Sequence, residues 1–166
     1  NDFLPFLYPN QYVNFSQDSK AVSLAAQLTS GLTSDVEALT AIYEYVTANI
    51  TYDNEKAATV SGNYLPDIDE TLSTKKGICF DYAALTAAML RSRDIPCKLQ
   101  IGYAGTVKHA WISIYIRSRG WVDKAVEFSG DSWSRMDPTF DSNSKEDASI
   151  RQYIGDDENY TVQFTR

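Results

Sequence analysis

The chain of 166 residues is long enough for one domain with a sizeable core, and its 43% hydrophobic and 22% charged residues are typical of a folded globular protein. Its net charge of −7 argues against a nucleic-acid partner, because binding to phosphates requires a basic surface. No apolar run approaches the roughly 18 residues of a membrane-spanning helix, so a single domain over residues 1–166 without a membrane span is predicted.

The numbers of cysteine and histidine residues limit the metal chemistry. Cys79 and Cys97 are the two cysteines and His109 is the one histidine, which is too few ligands for a structural zinc site. Neither a metal nor a cofactor is expected, and a disulfide between the two cysteines is the alternative to two thiols. The 11 tyrosines and a first residue other than methionine favour a processed protein that is extracellular or lies on the cell surface.

The first half of the chain is predicted to be mainly helical. Residues 1–18 carry prolines among aromatic side chains without helical or strand periodicity, and they are predicted to form an extended arm whose rings pack on the body. Two helices follow, at about residues 19–28 and 34–49, each with apolar residues on one face. Residues 50–74 are the least regular part and are predicted to be a long loop, with a short helix at about 69–75.

The stretch Lys76–Leu85 places a cysteine at the start of an apolar helix. Gly77 interrupts the preceding segment, and an alanine-rich run from Ile78 continues to about Arg93. Unpaired backbone N–H groups and the positive end of the helix dipole favour a thiolate there, and the thiolate is the nucleophilic form. Cys79 is therefore a candidate nucleophile, and a small buried hydrophobic side chain is the alternative.

Alternation of polar and apolar residues predicts strands in the second half. A polar loop is expected over residues 141–147 and a short helix over 146–154. Helices followed by strands predict an α+β domain in which the cysteine-bearing helix packs on an antiparallel sheet. The predicted strands, of which the last is an edge strand, are residues 97–103, 110–116, 121–126, 132–136 and 160–164.

Two further residues supply the chemistry that a cysteine nucleophile needs. His109 directly precedes a predicted strand, at a boundary that points a side chain towards the end of the sheet, and it is a candidate base. A histidine that binds a nearby carbonyl group is the alternative. Asp137 ends a predicted strand before Pro138 and is suited to orient the imidazole, although Asp-Pro-Thr is also ordinary turn chemistry. The intervening elements allow these two residues to converge with Cys79 as a catalytic triad.

Several blocks in a fixed order resemble the core of the transglutaminase-like superfamily. The blocks are Gly77–Ala83, Ile95–Cys97, Gly102–Tyr103, His109–Trp111, Trp121 and Asp137–Thr139. The resemblance covers about residues 39–140 and implies the papain-like fold of a transglutaminase core. It also implies Cys79 as the nucleophile, His109 as the base and Asp137 as the orienting carboxylate.

The chain departs from the family pattern in two places. Cys97 stands where such sequences often have a small residue such as alanine, and it is interpreted as a packing residue in a strand. The arm at residues 1–18 and the tail at 141–166 lie outside the pattern, so the core is predicted to be residues 19–140. The tail begins like a calcium-binding loop at Asp141–Lys145 but lacks the glycine at the sixth position, which favours a solvated polar loop.

The function that the resemblance implies is acyl transfer through a thioester. Cys79 attacks an amide of a peptide or protein substrate, and the thioester is resolved by water, as in a cysteine protease or amidase, or by a lysine amine, as in a protein-glutamine cross-linker. The backbone N–H of Cys79 and a side chain of Tyr52, Asn63 or Tyr64 are candidates for binding the oxyanion. Asp81 is interpreted as a first-turn acid that favours the helix dipole. A non-catalytic binding module that retains the fold is the alternative function.

Overall fold

The computed structural model describes residues 3–104, 107–129, 132–135 and 160–166, and in these residues the helices precede the main sheet. A 3₁₀ turn (Leu4–Phe6) comes first. The α-helices are α1 (Lys20–Leu28), α2 (Asp35–Asn49), α3 (Asn54–Thr59), α4 (Ile68–Thr74) and α5 (Cys79–Ser92). The strands are β1 (Thr51–Tyr52), β2 (Lys76–Gly77), β3 (Cys97–Ala104), β4 (Val107–Ile116), β5 (Gly120–Ser129), β6 (Ser132–Arg135) and β7 (Tyr160–Thr165).

The main sheet is antiparallel and has the strand order β6-β5-β4-β3-β7, while β1 and β2 form a separate short parallel pair. Helices that are followed by an antiparallel sheet confirm the predicted α+β class. The last strand, β7, lies at the edge of the sheet, as its alternating pattern predicts.

Helices α1 and α2 begin and end close to their predicted positions because their ends carry recognisable signals. Ser34 is the N-cap of α2, and its hydroxyl accepts a hydrogen bond of 3.1 Å from the N–H of Glu37. Beyond α1, Gly31 adopts a φ of +80°, a conformation that suits glycine in the turn between the two helices. Both helices therefore present the apolar faces that their periodicity predicts.

The short helix predicted at about residues 69–75 is confirmed as α4, but the long loop predicted around it is wrong where α3 lies. Each of these helices is capped by an aspartate. Asp53 accepts a hydrogen bond of 3.1 Å from the N–H of Lys56, and Asp67 accepts one of 3.1 Å from the N–H of Glu70. Capping thus stabilises helices that are too short to show an apolar periodicity.

Helix α5 is the centre of the fold. Every residue from Phe80 to Arg91 is buried, so this helix is enclosed on all sides. It contacts α1, α2 and α4 as well as β3, β4 and β5. Four alanines (Ala83, Ala84, Ala87 and Ala88) have no exposed surface and allow the neighbouring elements to approach closely.

The N-terminal arm packs its rings on the body, as predicted, although it contains a 3₁₀ turn and is not fully extended. The ring centroids of Phe3 and Tyr115 are 4.4 Å apart, and those of Phe6 and Trp121 are 5.7 Å apart. The arm therefore covers side chains of β4 and β5. The predicted elements at residues 141–147 and 146–154 lie outside the described residues.

Within the described ranges, no helix has the length and apolar character needed to cross a membrane.

Arg91 is a buried cation that joins three distant segments. Its side chain is buried, and its guanidinium donates to the carbonyl oxygens of Cys97 (3.0 and 2.7 Å), Tyr8 (2.9 Å) and Arg166 (2.8 Å). These carbonyl groups belong to β3, the arm and the residue after β7. A charged donor that satisfies three carbonyl groups in this way fixes the ends of the chain to α5.

Replacement of Arg91 by methionine is expected to lower the free energy of unfolding by about 2–4 kcal/mol, because the carbonyl groups lose their charged donor while they stay away from water. Urea unfolding followed by circular dichroism measures this change. The matched control is Arg93→Met, since Arg93 is exposed at the end of the same helix and should cost less than about 0.5 kcal/mol. Equal midpoints for the two variants would show that the guanidinium does not join these segments.

Candidate active site

Cys79 is the first residue of α5 and is partly exposed. Ile78 directly before it is the N-cap, with an extended backbone (φ −98°, ψ 178°). The backbone N–H groups of the first helical turn therefore lie at the end of the helix that carries the Cys79 thiol, as the sequence predicts. No disulfide joins Cys79 to Cys97, which excludes the alternative of a bridge between them.

The two cysteines occupy contrasting environments. Cys97 is completely buried at the start of β3, and this burial raises the pKa of its thiol to about 12. Its interpretation as a packing residue is therefore confirmed. At neutral pH the Cys97 thiol stays protonated and inaccessible, so only Cys79 has the exposure that a nucleophile needs.

Asp81 does more than favour the helix dipole. Its side chain is completely buried and its Oδ2 accepts a hydrogen bond of 2.9 Å from the N–H of Ile78, which caps the helix. The Nζ of Lys56 lies 2.9 Å from the same oxygen, and the hydroxyl of Tyr64 donates to Oδ1. The charge of this carboxylate, which is buried away from water, is thus compensated by one cation and two hydrogen-bond donors.

Tyr64 is the candidate oxyanion donor whose hydroxyl is already engaged. Burial first, and then the hydrogen bond to Asp81, raise the pKa of Tyr64 far above its ordinary value, so the hydroxyl stays a donor. Since its proton points to Asp81, it is not available for an oxyanion. The ammonium group of Lys56 also lies 4.4 Å from the centroid of the Tyr64 ring, which holds this ring from a second side.

Gly77 allows Asp81 to approach the chain before the helix. A Cβ atom added at Gly77 would lie 2.7 Å from the Cβ of Asp81 and 3.2 Å from its Oδ2. In addition, the N–H of Asp53 donates to the carbonyl of Gly77 (2.9 Å), which extends the pairing of β1 with β2. A glycine is therefore required at position 77, because a larger side chain there would collide with Asp81.

A cleft of about 420 Å³ opens beside Cys79. Tyr52, Asn63 and Tyr64, the three predicted oxyanion candidates, all line it. The sequence did not indicate that the arm and the last strand also contribute walls. The described residues that line the cleft are Gln11, Tyr12, Tyr52, Ala57, Val60, Ser61, Gly62, Asn63, Tyr64, Leu65, Ile78, Cys79, Phe80, Ile101 and Phe164.

His109 is the third residue of β4. The prediction that it lies directly before the strand is therefore wrong. His109 is half-buried, with its Nδ1 buried, and its ring lies 6.0 Å from that of Trp111. Its partner on β3 is Gly102, and the next pair along the ladder is Ala110 with Ile101. Ile101 lines the cleft on the face of the sheet that it shares with Ala110, and successive side chains of a strand alternate between faces, so the register does not place His109 in the cleft lining.

Asp137, the third predicted catalytic residue, lies outside the described residues, and so does the calcium-like stretch Asp141–Lys145. Among the residues that the structure describes, no group of three or more His, Cys, Asp or Glu side chains is arranged to hold a metal ion.

The residues 22–138 of the chain match the sequence model of the Transglutaminase-like superfamily. This range includes the three predicted catalytic residues, Cys79, His109 and Asp137. A UPF0252 protein from Methanocaldococcus jannaschii is 39% identical over 71 residues, which represent 39% of this chain and 20% of that protein.

Solved structures share the fold. A proposed cysteine protease from Cytophaga hutchinsonii is 25% identical, with a TM-score of 0.59 over 78% of this chain and 42% of its own. A proposed protease from Parabacteroides distasonis is 17% identical, with a TM-score of 0.52 over 74% and 29%. The periplasmic domain of TgpA from Pseudomonas aeruginosa is 18% identical, with a TM-score of 0.50 over 85% and 50%. The last two show the fold alone, and this chain spans half the length of these proteins or less.

Replacement of Gly77 by alanine is expected to lower the free energy of unfolding by about 1–3 kcal/mol, because Asp81 is held by three partners and cannot yield to the added Cβ. Thermal and urea unfolding measure this cost. Gly62→Ala is the control, since a Cβ at Gly62 meets nothing within 4 Å and the change should stay within about 0.5 kcal/mol. The close approach would be disproved if both variants unfolded like the parent protein.

Proposed function

The chain belongs to the transglutaminase-like superfamily, and from this premise we propose that it is a cysteine-dependent enzyme that transfers acyl groups from peptide or protein amides. The observation that carries the proposal is the position of Cys79, which is the first residue of the central helix and is partly exposed in the wall of a cleft. A thiol at a helix start is favoured as thiolate, and the cleft gives a substrate access to it.

In the proposed mechanism, Cys79 is the nucleophile, His109 is the acid and base, and Asp137 orients the imidazole. The Cys79 sulfur attacks the amide carbonyl, and a C–S bond forms as the carbonyl π electrons move to oxygen. The protonated imidazole of His109 then gives its proton to the leaving nitrogen as the C–N bond breaks, which leaves a thioester. This assignment is supported by the match of residues 22–138, which include all three side chains, to the family's sequence model.

The oxyanion of the tetrahedral intermediate requires donors close to the attacked carbonyl. The backbone N–H of Cys79 is one proposed donor, since it lies at the positive end of the helix dipole, where a developing negative charge is stabilised. Tyr52 or Asn63 is proposed as the second, because both line the cleft and Tyr64 already donates to Asp81.

Water or an amine then resolves the thioester. Hydrolysis makes the protein a cysteine protease or amidase, and attack by a lysine amine makes it a protein cross-linker. We favour hydrolysis, because a cleft that is open at a partly exposed cysteine admits water to the thioester.

The first test is the alkylation of the two cysteines with iodoacetamide at pH 6, where an unperturbed thiol is more than about 99% protonated. We expect Cys79 to be modified quickly and Cys97, with its pKa of about 12, to stay unmodified. His109→Ala should slow the modification of Cys79 by about 10-fold or more, because the thiolate loses its imidazolium partner. Peptide mapping by mass spectrometry distinguishes the two sites.

Slow modification of Cys79 at the rate of a free thiol would argue for the alternative, a binding module that keeps the fold. Cys79→Ser serves as the control for modification elsewhere.

A second test separates the two reactions of the thioester. The protein is incubated with a library of glutamine-containing peptides, with and without a primary amine, and the products are identified by mass spectrometry. Hydrolysis predicts cleaved or deamidated peptides that Cys79→Ala abolishes, whether or not the amine is present. Amine adducts that outnumber the hydrolysed products would show that the enzyme is a cross-linker instead.

A further inference from the structure

Among the residues that the structure describes, and apart from the proposed thiolate of Cys79, the lining of the cleft has no charged side chain. The lining consists of apolar, aromatic and neutral polar residues, although 22% of the residues in the chain are charged. The ammonium group of Lys56, which lies 4.4 Å from the ring centroid of the lining residue Tyr64, is paired with Asp81 at 2.9 Å. A charged side chain that entered between these neutral walls would lose water without gaining a partner in them, which is costly.

Aromatic rings form much of the wall, and they already contact one another in the geometries that aromatic pairs prefer. Phe80 lies at the centre of this group. Its ring centroid is 6.2 Å from that of Tyr64 in an edge-to-face arrangement, 6.2 Å from that of Phe164 and 6.3 Å from that of Tyr12. Tyr12 and Phe164 are 5.2 Å apart. An additional ring from a ligand can join this group by the same contacts.

Arg166 is a charged residue that lies beside the cleft and is not part of its lining. The guanidinium of Arg166 is 5.0 Å from the ring centroid of Tyr12 and 4.9 Å from that of Phe164, and Arg166 is exposed. This cation covers the rings from the solvent side, so it opposes the approach of a second cation. A lysine or arginine side chain of a substrate is therefore disfavoured at this position.

The wall is held in place before any ligand binds. Tyr64 is fixed by its hydrogen bond to the buried carboxylate of Asp81 and by the ammonium group of Lys56 over its ring. The volume of about 420 Å³ falls within the range of pockets that bind small molecules or large side chains. A pre-formed pocket binds its ligand without an ordering cost, and it selects by shape and polarity.

From these observations we infer that the cleft binds a large uncharged side chain, preferably aromatic, that lies at the attacked residue of the substrate or at the residue before it. This inference rests on the proposed function, since it takes Cys79 as the nucleophile, and it specifies the substrate class. The attacked bond is then the main-chain amide near an aromatic or large aliphatic residue, and the side-chain amide of glutamine is a poor substrate.

The test uses acetyl-dipeptide chloromethyl ketones, in which the Cys79 thiolate displaces chloride, so that a C–S bond forms as the C–Cl bond breaks. Probes that carry Phe, Leu, Gln, Asp or Lys at either position are compared with the Ala-Ala probe. Each alkylation rate is divided by the iodoacetamide rate of the same protein. At one of the two positions we expect Phe to exceed Ala, Gln, Asp and Lys by at least about 10-fold.

Val60, which lines the cleft and is half-buried, offers a matched pair of variants. Val60→Asp should lower the rate with the Phe probe by about 10-fold and raise the rate with the Lys probe by about 3-fold, because the added carboxylate favours a cation. In the Val60→Thr variant the new side chain has almost the same shape as valine and no charge. This variant should therefore react with the probes in the same order of rates as the parent protein.

The outcomes separate this inference from the proposed function. Rapid iodoacetamide labelling with equal rates for all the probes would support the nucleophile and overturn the aromatic pocket. Slow iodoacetamide labelling would count against the proposed function alone. The pocket is then decided by the binding of acetyl-phenylalanine amide and acetyl-lysine amide to the Cys79→Ala variant, measured by NMR titration. Preferential binding of the phenylalanine compound supports the pocket, and equal affinities overturn it.

Discussion

A carboxylate that is removed from water must be compensated by donors and by a positive charge, and Asp81 obtains these from separate parts of the chain. The N–H group comes from Ile78 at the helix start, the ammonium group from Lys56 in α3 and the hydroxyl from Tyr64 in the following segment. The carboxylate therefore ties one wall of the cleft to the turn that carries Cys79. If any partner is removed, the others are left with an imperfectly compensated buried charge.

The rigidity of this turn follows from the position of α5 within the core. A helix that is buried on all sides has no direction in which to move without opening a cavity, and its alanines leave little free space around it. Arg91 holds the other end of the helix through the carbonyl groups of three segments. The first turn is thus anchored by Asp81 and the last turn by Arg91. Cys79 therefore lies at the start of a fixed element, beside a cleft to which the arm and the edge strand β7 also contribute walls.

Much of the fold could be predicted from the sequence because its signals are local. Helices α1, α2 and α5 show periodicity, caps or strong helix formers, and the strands show alternation or β-branched residues. The structure departs from prediction where an element is too short to show a periodic pattern or begins before that pattern does. Helix α3 has only its Asp53 cap as a signal, and β4 begins at Val107 because Val107 and Lys108 pair with Ala104 and Tyr103 of β3. Val107 and Lys108 are not part of an alternating polar and apolar pattern that would indicate a strand.

In the candidate site too, features that depend on neighbouring residues could be predicted, and long-range contacts could not. The position of Cys79 at a helix start could be predicted from a few neighbouring residues. The partners Lys56 and Tyr64 of Asp81 are distant in sequence, so only the interaction of Asp81 with the helix dipole could be predicted. The electrostatic consequence of those partners is considerable. A negative charge in the same turn as a thiolate opposes its formation, and this opposition weakens when a cation lies 2.9 Å from the charge. Lys56 therefore allows the chain to use a buried acid as a helix cap within two residues of its proposed nucleophile, because the ion pair reduces the repulsion between that acid and a thiolate.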